Sequence, residues 1–324
     1  MTKVSKIGIL TSGGDSPGMN AAIRAVTRAG INNGLDVFGI MRGYEGMIDG
    51  EIKQLAKRDV SGILQKGGTV LKTSRSKRFF EPDIRRLAHE NLKKNGIDAL
   101  VVIGGDGSFK GASVFSQEFD IPVVGIPGTI DNDMYGTDYT IGFDTCLNTV
   151  MEAVDKIRDT ASSHDRIFFV EVMGREAGFV ALQSGIASGV EAILIPEVKG
   201  QIDNLVDLLA KPERKNKSSI IFVAEGHTEG NTYEIAEKVG KTFPDLDIRV
   251  TILGHIQRGG SPTAYDRITA SRMGVAAVEA LIDDQKSIMI GIANGEIVHV
   301  PLSKTVKLHK EVPQSMLDVA KILV

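Results

Sequence analysis

The strongest constraint on the fold is a pair of short apolar runs that each end in glycine and acid. Ala99-Leu-Val-Val-Ile103 is followed by Gly-Gly-Asp-Gly-Ser108, and Ile121-Pro-Val-Val-Gly-Ile126 is followed by Pro-Gly-Thr-Ile-Asp-Asn-Asp133. Short runs rich in β-branched residues are typical of buried parallel strands rather than helices. The segment between them, 107–118, has the pattern of a crossover helix. Together these stretches predict a strand–loop–helix–strand–loop unit.

The same alternation continues along the chain and predicts doubly wound α/β sheets. Further strands are expected over 6–11, 35–41, 51–55, 167–172, 192–196, 219–224, 247–253, 288–293 and 296–300. Helices are expected over 82–94, 107–118, 145–160, 203–210, 262–281 and 313–323, and one or two helical turns over 60–65. A chain of 324 residues is long enough for two domains.

The loops after the two central strands indicate phosphoryl transfer. Glycines let backbone N–H groups approach phosphate oxygens, and a following helix N-terminus favours negative charge. An acid within such a turn is electrostatically unfavourable unless a cation is present, so Asp106 suggests a Mg²⁺ site. A second carboxylate one loop later, Asp131 or Asp133, is able to accept a proton from a hydroxyl nucleophile.

Other turns add anion-binding side chains to this picture. Ser12-Gly-Gly-Asp-Ser-Pro-Gly18 is a second glycine-rich strand-to-helix turn, and 67–75 is a glycine-led loop that ends at Arg75. Arg175 directly follows a strand, and His255 and Arg258 share a glycine-bounded turn where they could converge on one anion. Arg24 and Arg28 lie four residues apart on one helix face, a spacing that fits either a solvated face or a phosphate effector site.

Composition narrows the possible functions. The net charge of −3 offers no general attraction to nucleic acid or anionic lipid, so an anionic substrate requires locally placed Arg and Lys. The single Cys146 excludes an intrachain disulfide and is expected to be a small buried hydrophobe. No apolar run reaches 18 residues and no signal peptide is recognisable, which predicts a cytoplasmic protein.

Five motifs in this order resemble the bacterial ATP-dependent 6-phosphofructokinase family over nearly the whole chain. They are Thr11-Ser-Gly-Gly-Asp15, Ile103-Gly-Gly-Asp-Gly-Ser108, Pro127-Gly-Thr-Ile-Asp-Asn-Asp133, Val172-Met-Gly-Arg175 and Leu253-Gly-His-Ile-Gln-Arg-Gly-Gly-Ser261. The resemblance implies phosphorylation of D-fructose 6-phosphate at its 1-hydroxyl by Mg²⁺-ATP, the committed step of glycolysis. It also implies a homotetramer of two-domain α/β/α subunits with the active site in the cleft between the domains. The expected ATP-binding domain is 1–138 plus 251–304, and the expected fructose 6-phosphate domain is 139–250 plus 305–324.

The resemblance also implies roles for individual residues. Asp131 would be the general base, Asp106 would hold Mg²⁺ with Asp133 as a second candidate ligand, and Arg175 and Thr129 would stabilise the moving phosphoryl group. The residues expected to bind ATP are Gly14, Arg75, Ser76, Gly105, Asp106, Gly107 and Ser108. The residues expected to bind the sugar phosphate are Thr129, Asp131, Asp133, Arg166, Met173, Gly174, Arg175, Glu225, Arg249, His255 and Arg258, and Gly14 is counted as catalytic. In the family, the counterparts of Arg166 and Arg249 come from a neighbouring subunit.

Allosteric members of the family suggest an effector site for ADP or phosphoenolpyruvate. Its residues here would be Arg24, Arg28, Lys57, Arg158, Glu191 and Arg214. Lys57 stands where Arg is usual, and Gly62 and Asn216 also depart from the usual pattern. Because Lys does not reproduce the planar fork of Arg, the response to these effectors is expected to be weak or altered.

The nearest alternative is the pyrophosphate-dependent branch of the same family. That branch typically has Asp and Lys at the positions of Gly107 and Gly128, where they would fill the space of an ATP α-phosphate. Glycine at both positions favours ATP, whereas Ser76 and Phe80 depart from the usual adenine-site residues.

Two other classes are less compatible with the sequence. A non-catalytic sugar-phosphate sensor would not need the acids at 106 and 131, and a dinucleotide oxidoreductase would need a GxGxxG turn with a ribose-binding acid.

Overall fold

The computed structural model describes residues 4–164, 166–212 and 218–323. The chain divides into two compact units. Unit 1 comprises Met1–Ile130, Met134–Thr145 and Arg258–Lys310, and unit 2 comprises Asp131–Asp133, Cys146–Gln257 and Glu311–Val324. Each unit is built on its own sheet.

Unit 1 contains a seven-stranded sheet within the described residues, with strand order β11-β10-β5-β4-β1-β2-β3. The strands are β1 (Lys6–Ser12), β2 (Asp36–Ile40), β3 (Ile52–Gln54), β4 (Ala99–Gly104), β5 (Val123–Pro127), β10 (Ile288–Ala293) and β11 (Glu296–Pro301). The two edge strands pair antiparallel and the central strands pair parallel. Strand order reverses between β1 and β4, and ligands bind beyond the carboxyl ends of the strands at such a point.

Helices cover both faces of this sheet. They are α1 (Met19–Asn32), α2 (Tyr44–Asp49), α3 (Pro82–Asn95), α4 (Asp106–Phe119), α9 (Ala264–Ile282) and α10 (Leu302–Thr305). Successive residues of β4 enter opposite cores: Val101 packs with the α1–α9 side and Leu100 with the α2–α4 side. Burial on both faces explains why β4 is apolar throughout, without the alternation of a half-exposed strand.

Unit 2 has a four-stranded, all-parallel sheet of order β7-β8-β6-β9 among its described residues. The strands are β6 (Ile167–Val172), β7 (Ala192–Leu194), β8 (Ser219–Ala224) and β9 (Ile248–Ile252). The helices of this unit are α6 (Phe179–Ser188), α7 (Gln201–Leu209), α8 (Thr232–Thr242) and α11 (Gln314–Leu323). The carboxyl ends of all four strands lie at one edge, so the loops after β6 and β8 are neighbours.

The helix α5 (Phe143–Ser162) runs from unit 1 into unit 2. Its first turn is capped by a residue of α9: the Asp266 carboxylate accepts hydrogen bonds from Gly142 N and Thr145 N, each at 2.8 Å. In return, Thr263 caps α9 by accepting from Asp266 N at 3.2 Å, and its hydroxyl donates to Asp144 Oδ2 at 2.6 Å. Two helix starts therefore share one polar network.

The predicted fold class, doubly wound α/β with mainly parallel sheets, is confirmed, with local corrections. The one or two helical turns predicted over 60–65 do not form a helix; the segment consists of separate turns, one of them closed by Lys66 N donating to Ile63 O. The helices α2, α8 and α10 were not predicted. No helix among the described residues is long and apolar enough to cross a membrane.

Candidate active site

In unit 1, the glycine turns after β1 and β4 lie side by side. Ser12 and Gly104 are register partners at the strand ends, and Ser108 Oγ donates to Ser12 O at 2.9 Å. A Cβ on Gly104 would lie 2.5 Å from Ser12 O, so only glycine fits there. The close approach leaves backbone N–H groups of two turns and the start of α4 at one edge, which is the arrangement that binds phosphate.

Asp106 is the first residue of α4, and Gly105 is its N-cap. The Asp106 carboxylate is one-third exposed and lies 2.6 Å from Lys110 Nζ. A partly exposed carboxylate beside a glycine turn suits Mg²⁺, which usually takes one or two carboxylates together with substrate phosphates. Within residues 4–164, 166–212 and 218–323, no cluster of three or more His, Cys, Asp or Glu side chains is arranged to hold a metal ion.

Two glycines at the edge of this site differ in the space around them. A Cβ on Gly107 would meet no atom within 4 Å, whereas a Cβ on Gly128 would lie 3.1 Å from both Ile103 Cγ2 and Met19 Cε. Gly128 pairs with Ile141 in an isolated bridge, and the following Thr129 is buried and accepts at its carbonyl from Thr140 Oγ1. Position 107 is therefore open to a side chain, and position 128 is crowded.

The basic loop after residue 67 is attached to the β1 turn. Thr73 Oγ1 donates to Gly13 O at 2.9 Å, and Gly13 N donates to Ser74 O at 3.4 Å. The next residue, Arg75, is exposed, whereas Ser76 donates to Glu45 Oε1 at 2.5 Å. The structure thus places Arg75 beside the glycine turn and uses the Ser76 hydroxyl within the protein.

Arg258 also lies at this turn. Its Nη1 is 3.3 Å from Asp15 O and only 2.5 Å from where a Cβ of Gly14 would be. Gly14 therefore makes room for a guanidinium. His255 is exposed in the short 3-10 helix Gly254–Arg258, and its convergence with Arg258 on one anion stays a prediction.

In unit 2, the loop after β6 brings two predicted catalytic residues together. Arg175 Nε lies 3.2 Å from Asp131 Oδ2, and the Asp131 side chain is 1% exposed against 47% for Arg175. Arg175 has φ +52°, a left-handed conformation that costs a non-glycine residue on the order of 1 kcal/mol. Surrounding contacts must supply that energy.

Side chains from other elements supply these contacts. Glu225 Oε1 accepts from Arg175 N at 2.7 Å and from Gly174 N at 3.3 Å. Gln257 Oε1 accepts from Met173 N at 3.1 Å. Three consecutive backbone N–H groups thus donate to side chains outside the loop, which compensates for the strained conformation of Arg175.

A second basic cluster lies at the start of the neighbouring strands β6 and β9. Asp247 Oδ2 is 2.7 Å from Arg166 Nε, and Asp247 Oδ1 is 2.9 Å from Arg249 Nη2. The hydrogen bond from Arg166 lowers the pKa of Asp247, and the charge of Arg249 acts in the same direction. Asp247 therefore stays ionised and holds the two guanidiniums side by side. Asp133, the other predicted acid, is partly buried.

The predicted effector residues fall in both units. Arg24, Arg28 and Lys57 belong to unit 1, whereas Arg158 and Glu191 belong to unit 2. Arg158 Nη2 donates to Ser188 O at 2.6 Å, and Glu191 Oε2 accepts from Ile220 N at 2.6 Å. Arg214 lies outside the described residues. The two unit 2 residues thus already support the backbone.

Sequence reasoning missed four residues that position the site: Lys110, Asp247, Gly226 and Gln257. Only Lys110 carries a local signal, since it lies four residues after Asp106 on the same helix face. Asp247 contacts Arg249, two residues later, but its contact with Arg166, like those of Gly226 and Gln257, joins residues distant in the chain.

Comparison with known proteins gives a consistent result. Residues 6–281 match the model of the phosphofructokinase family. The ATP-dependent 6-phosphofructokinase 2 of Bacteroides thetaiotaomicron is 60% identical over 324 residues, which cover 100% of this chain and 99% of that protein. The ATP-dependent 6-phosphofructokinase 1 of Thermus thermophilus is 51% identical over 321 residues, 99% of each chain.

Solved structures agree. Phosphofructokinase from Saccharomyces cerevisiae superposes with a TM-score of 0.90 at 41% identity, over 98% of this chain but 47% of that longer chain. A pyrophosphate-dependent phosphofructokinase from Marinobacter aquaeolei superposes with a TM-score of 0.84 at 21% identity, over 99% and 91% of the two chains, and so shares the fold. Family model, relatives and structures together establish that the chain belongs to the phosphofructokinase family.

Proposed function

We propose that this protein is an ATP-dependent 6-phosphofructokinase, a phosphotransferase that moves the γ-phosphoryl group of ATP to the 1-hydroxyl of D-fructose 6-phosphate. The observation that carries the proposal is the buried Asp131 carboxylate with the Arg175 guanidinium 3.2 Å away. A buried base beside a half-exposed cation fits a reaction in which a proton is accepted while negative charge moves. Relatives over the full chain length carry the same activity in their names.

The nucleotide is assigned to unit 1. Gly14, Gly105, Gly107 and Ser108 would place backbone groups around the phosphates, and Arg75 and Ser76 would border the nucleotide. Asp106 would hold Mg²⁺ together with the phosphates, displacing Lys110 from its carboxylate. When bound, the metal neutralises charge on the transferring and leaving oxygens.

The sugar phosphate is assigned to unit 2 and to Arg258. Arg166 and Arg249, contributed by a neighbouring subunit of a homotetramer, would bind the 6-phosphate with His255 and Arg258. Guanidinium suits this role because it matches phosphate oxygens bidentately and keeps its charge. Met173, Gly174, Glu225 and Asp133 would border the sugar.

In the transfer itself, Asp131 accepts the proton of the 1-hydroxyl as that oxygen forms its bond to the γ-phosphorus. The bond from the γ-phosphorus to the bridging oxygen breaks, and ADP leaves with the electron pair. Arg175 and Thr129 stabilise the charge on the moving group, and most of the catalysis in such transfers comes from this kind of stabilisation. Fructose 1,6-bisphosphate and the protonated Asp131 are the immediate results.

The alternative function, pyrophosphate-dependent phosphofructokinase, differs in the phosphoryl donor. A pyrophosphate-dependent enzyme of this family would need side chains at positions 107 and 128, and both are glycine. The open space at Gly107 supports a nucleotide donor.

The test is a coupled assay that follows fructose 1,6-bisphosphate through NADH oxidation, with ATP and pyrophosphate compared side by side. We expect turnover with ATP and fructose 6-phosphate, abolished by EDTA and restored by Mg²⁺. Turnover with pyrophosphate but not with ATP would show that the phosphoryl donor is pyrophosphate. No turnover with either donor would remove the proposed activity.

Three further parts of the proposal need separate measurements. The homotetramer is tested by analytical ultracentrifugation, and regulation by ADP or phosphoenolpyruvate by titration. A cytoplasmic location stays a prediction.

A further inference from the structure

We infer that Gly226, with Gln257, is a positioning residue for Arg175, since it holds the backbone of the loop after β6 in the single conformation that places the guanidinium on Asp131. The inference rests on the proposed function. It concerns two residues that touch neither of the proposed substrates in that assignment.

Gly226 lies directly against the Arg175 backbone. A Cβ at position 226 would be 1.9 Å from Arg175 O, 2.8 Å from Arg175 C and 3.1 Å from Glu176 Cα. All three atoms belong to the main chain, so no flexible side chain could move aside. The φ of Gly226 is not left-handed, so its backbone conformation does not require glycine. The close approach of Arg175 O is what excludes a side chain at this position.

Gln257 holds the other end of the same loop. The residue is fully buried, its Oε1 accepts from Met173 N, and its Nε2 donates to Gly254 O at 3.1 Å. Both polar groups of the amide are therefore used. Gln257 thus connects the loop after β6 to the 3-10 helix Gly254–Arg258.

The need for such support follows from the Arg175 side chain itself. It is long and half exposed, and its direction depends on the backbone conformation at Arg175, where φ is +52°. A misplacement of about 1 Å at a reacting group costs about 100-fold in rate. Because Arg175 is assigned to charge that develops during the transfer, its displacement lowers kcat and leaves substrate KM values nearly unchanged.

The principal variant is Gly226→Ala, with Gly240→Ala as its matched control. Gly240 lies in α8 of the same unit, has no left-handed φ, and its Cβ would meet only Ile248 Cδ1 at 3.7 Å. We expect kcat to fall about 100-fold in Gly226→Ala, with the ATP KM unchanged. Gly240→Ala is expected to keep the kcat of the wild type.

A double-mutant cycle distinguishes positioning from general damage. In an Arg175→Ala background, measured by single turnover, Gly226→Ala is expected to lower the rate by less than about 3-fold, because the group it positions is already absent. An equal fall in both backgrounds, or a folded Gly226→Ala with wild-type kcat, would overturn the inference.

Gln257→Met is the second variant and decides the matter if Gly226→Ala does not fold. Methionine keeps the side-chain volume but removes the acceptor for Met173 N. A fall in kcat of about 10-fold in the wild-type background and none in the Arg175→Ala background is expected. Wild-type kinetics in Gln257→Met would contradict the inference. An inactive wild type, in contrast, would count against the proposed function and not against the role of Gly226.

Discussion

The Arg175 guanidinium lies 3.2 Å from the Asp131 carboxylate, and these two side chains have opposite environments. Asp131 is enclosed by protein, whereas nearly half of Arg175 faces solvent. An arginine that is nearly half exposed is able to contact an incoming anion while its guanidinium still borders solvent. The pair therefore combines a buried base with a partly exposed cation.

Replacing the base should separate chemistry from binding. Asp131→Ala and the closer mimic Asp131→Asn are expected to lower kcat by roughly three orders of magnitude or more, because general-base catalysis contributes about 10²–10⁴-fold. The ATP KM should change little, since the nucleotide is assigned to unit 1. Steady-state kinetics with varied ATP check this, and an effect on KM alone would remove the role of Asp131 as base.

Gly107→Asp should weaken the use of ATP without harming the fold. A Cβ at this position meets nothing within 4 Å, so the variant is expected to unfold at the wild-type temperature. A carboxylate beside the nucleotide phosphates should lower kcat/KM for ATP by about 100-fold or more, since like charges in close contact cost several kcal/mol.

Gly107→Ala serves as the control for Gly107→Asp, because it adds the Cβ without the charge and should retain most activity with ATP. An Asp variant that used ATP as well as the wild type would show that the nucleotide lies elsewhere. Thermal unfolding of all three proteins separates stability from donor choice.

The Asp266 carboxyl group makes the stability of unit 1 depend on pH. Burial raises its pKa from 3.8 to about 6, against the opposing effect of hydrogen bonds from Thr145 and Gly142. Because the folded state binds this proton more tightly than the unfolded state, the stabilisation is full below about pH 4 and is lost as the pH rises through 6. The corresponding change is about 3 kcal/mol.

Asp266→Asn removes this titration and supplies the comparison. The stability of the wild type relative to Asp266→Asn should therefore decrease between pH 4 and pH 7, measured by urea unfolding at several pH values. A difference that grows with pH would mean that the hydrogen bonds from Thr145 and Gly142 outweigh burial and that the pKa is lowered.

The effector response is expected to be weak. Lys57 is exposed and lacks the fork of an arginine, and Arg158 already donates to the last carbonyls of α6. With fructose 6-phosphate held below its KM, millimolar ADP or phosphoenolpyruvate should change the rate by less than about 5-fold, the lower end of typical allosteric coupling. A full sigmoidal shift with either compound would contradict this.

Local sequence signals were sufficient for most of the sheet. The β-branched runs before Gly104 and Gly128 form β4 and β5. They were recognisable because a strand buried on both faces has an uninterrupted apolar sequence. The helix α2 was missed since its six residues depend on distant partners: Tyr44 Oη donates to Ser108 O, and Arg78 pairs with Glu45. The helix α8 did have a signal, the capping box of Asn231 and Glu234, which was overlooked.

For the site, the residues suggested the chemistry and the family resemblance suggested the roles. Asp106 and Asp131 were recognisable because acids after apolar strands are unusual beside glycine. The pairing of Asp131 with Arg175 could not be read from residue spacing, since it depends on how separate segments of unit 2 pack. The contact of Gly226 with Arg175 has no local pattern at all.

The shared caps of α5 and α9 have a consequence for how the chain acquires its structure during synthesis. Asp266 follows Thr145 by 121 residues, so the amino end of α5 lacks the Asp266 carboxylate as a cap until the segment beginning at Thr263 has emerged from the ribosome. The hydrogen bonds from Gly142 N and Thr145 N to Asp266 therefore form only after most of the polypeptide has been synthesised. A fragment that ends before Thr263 would lack the Asp266 carboxylate permanently.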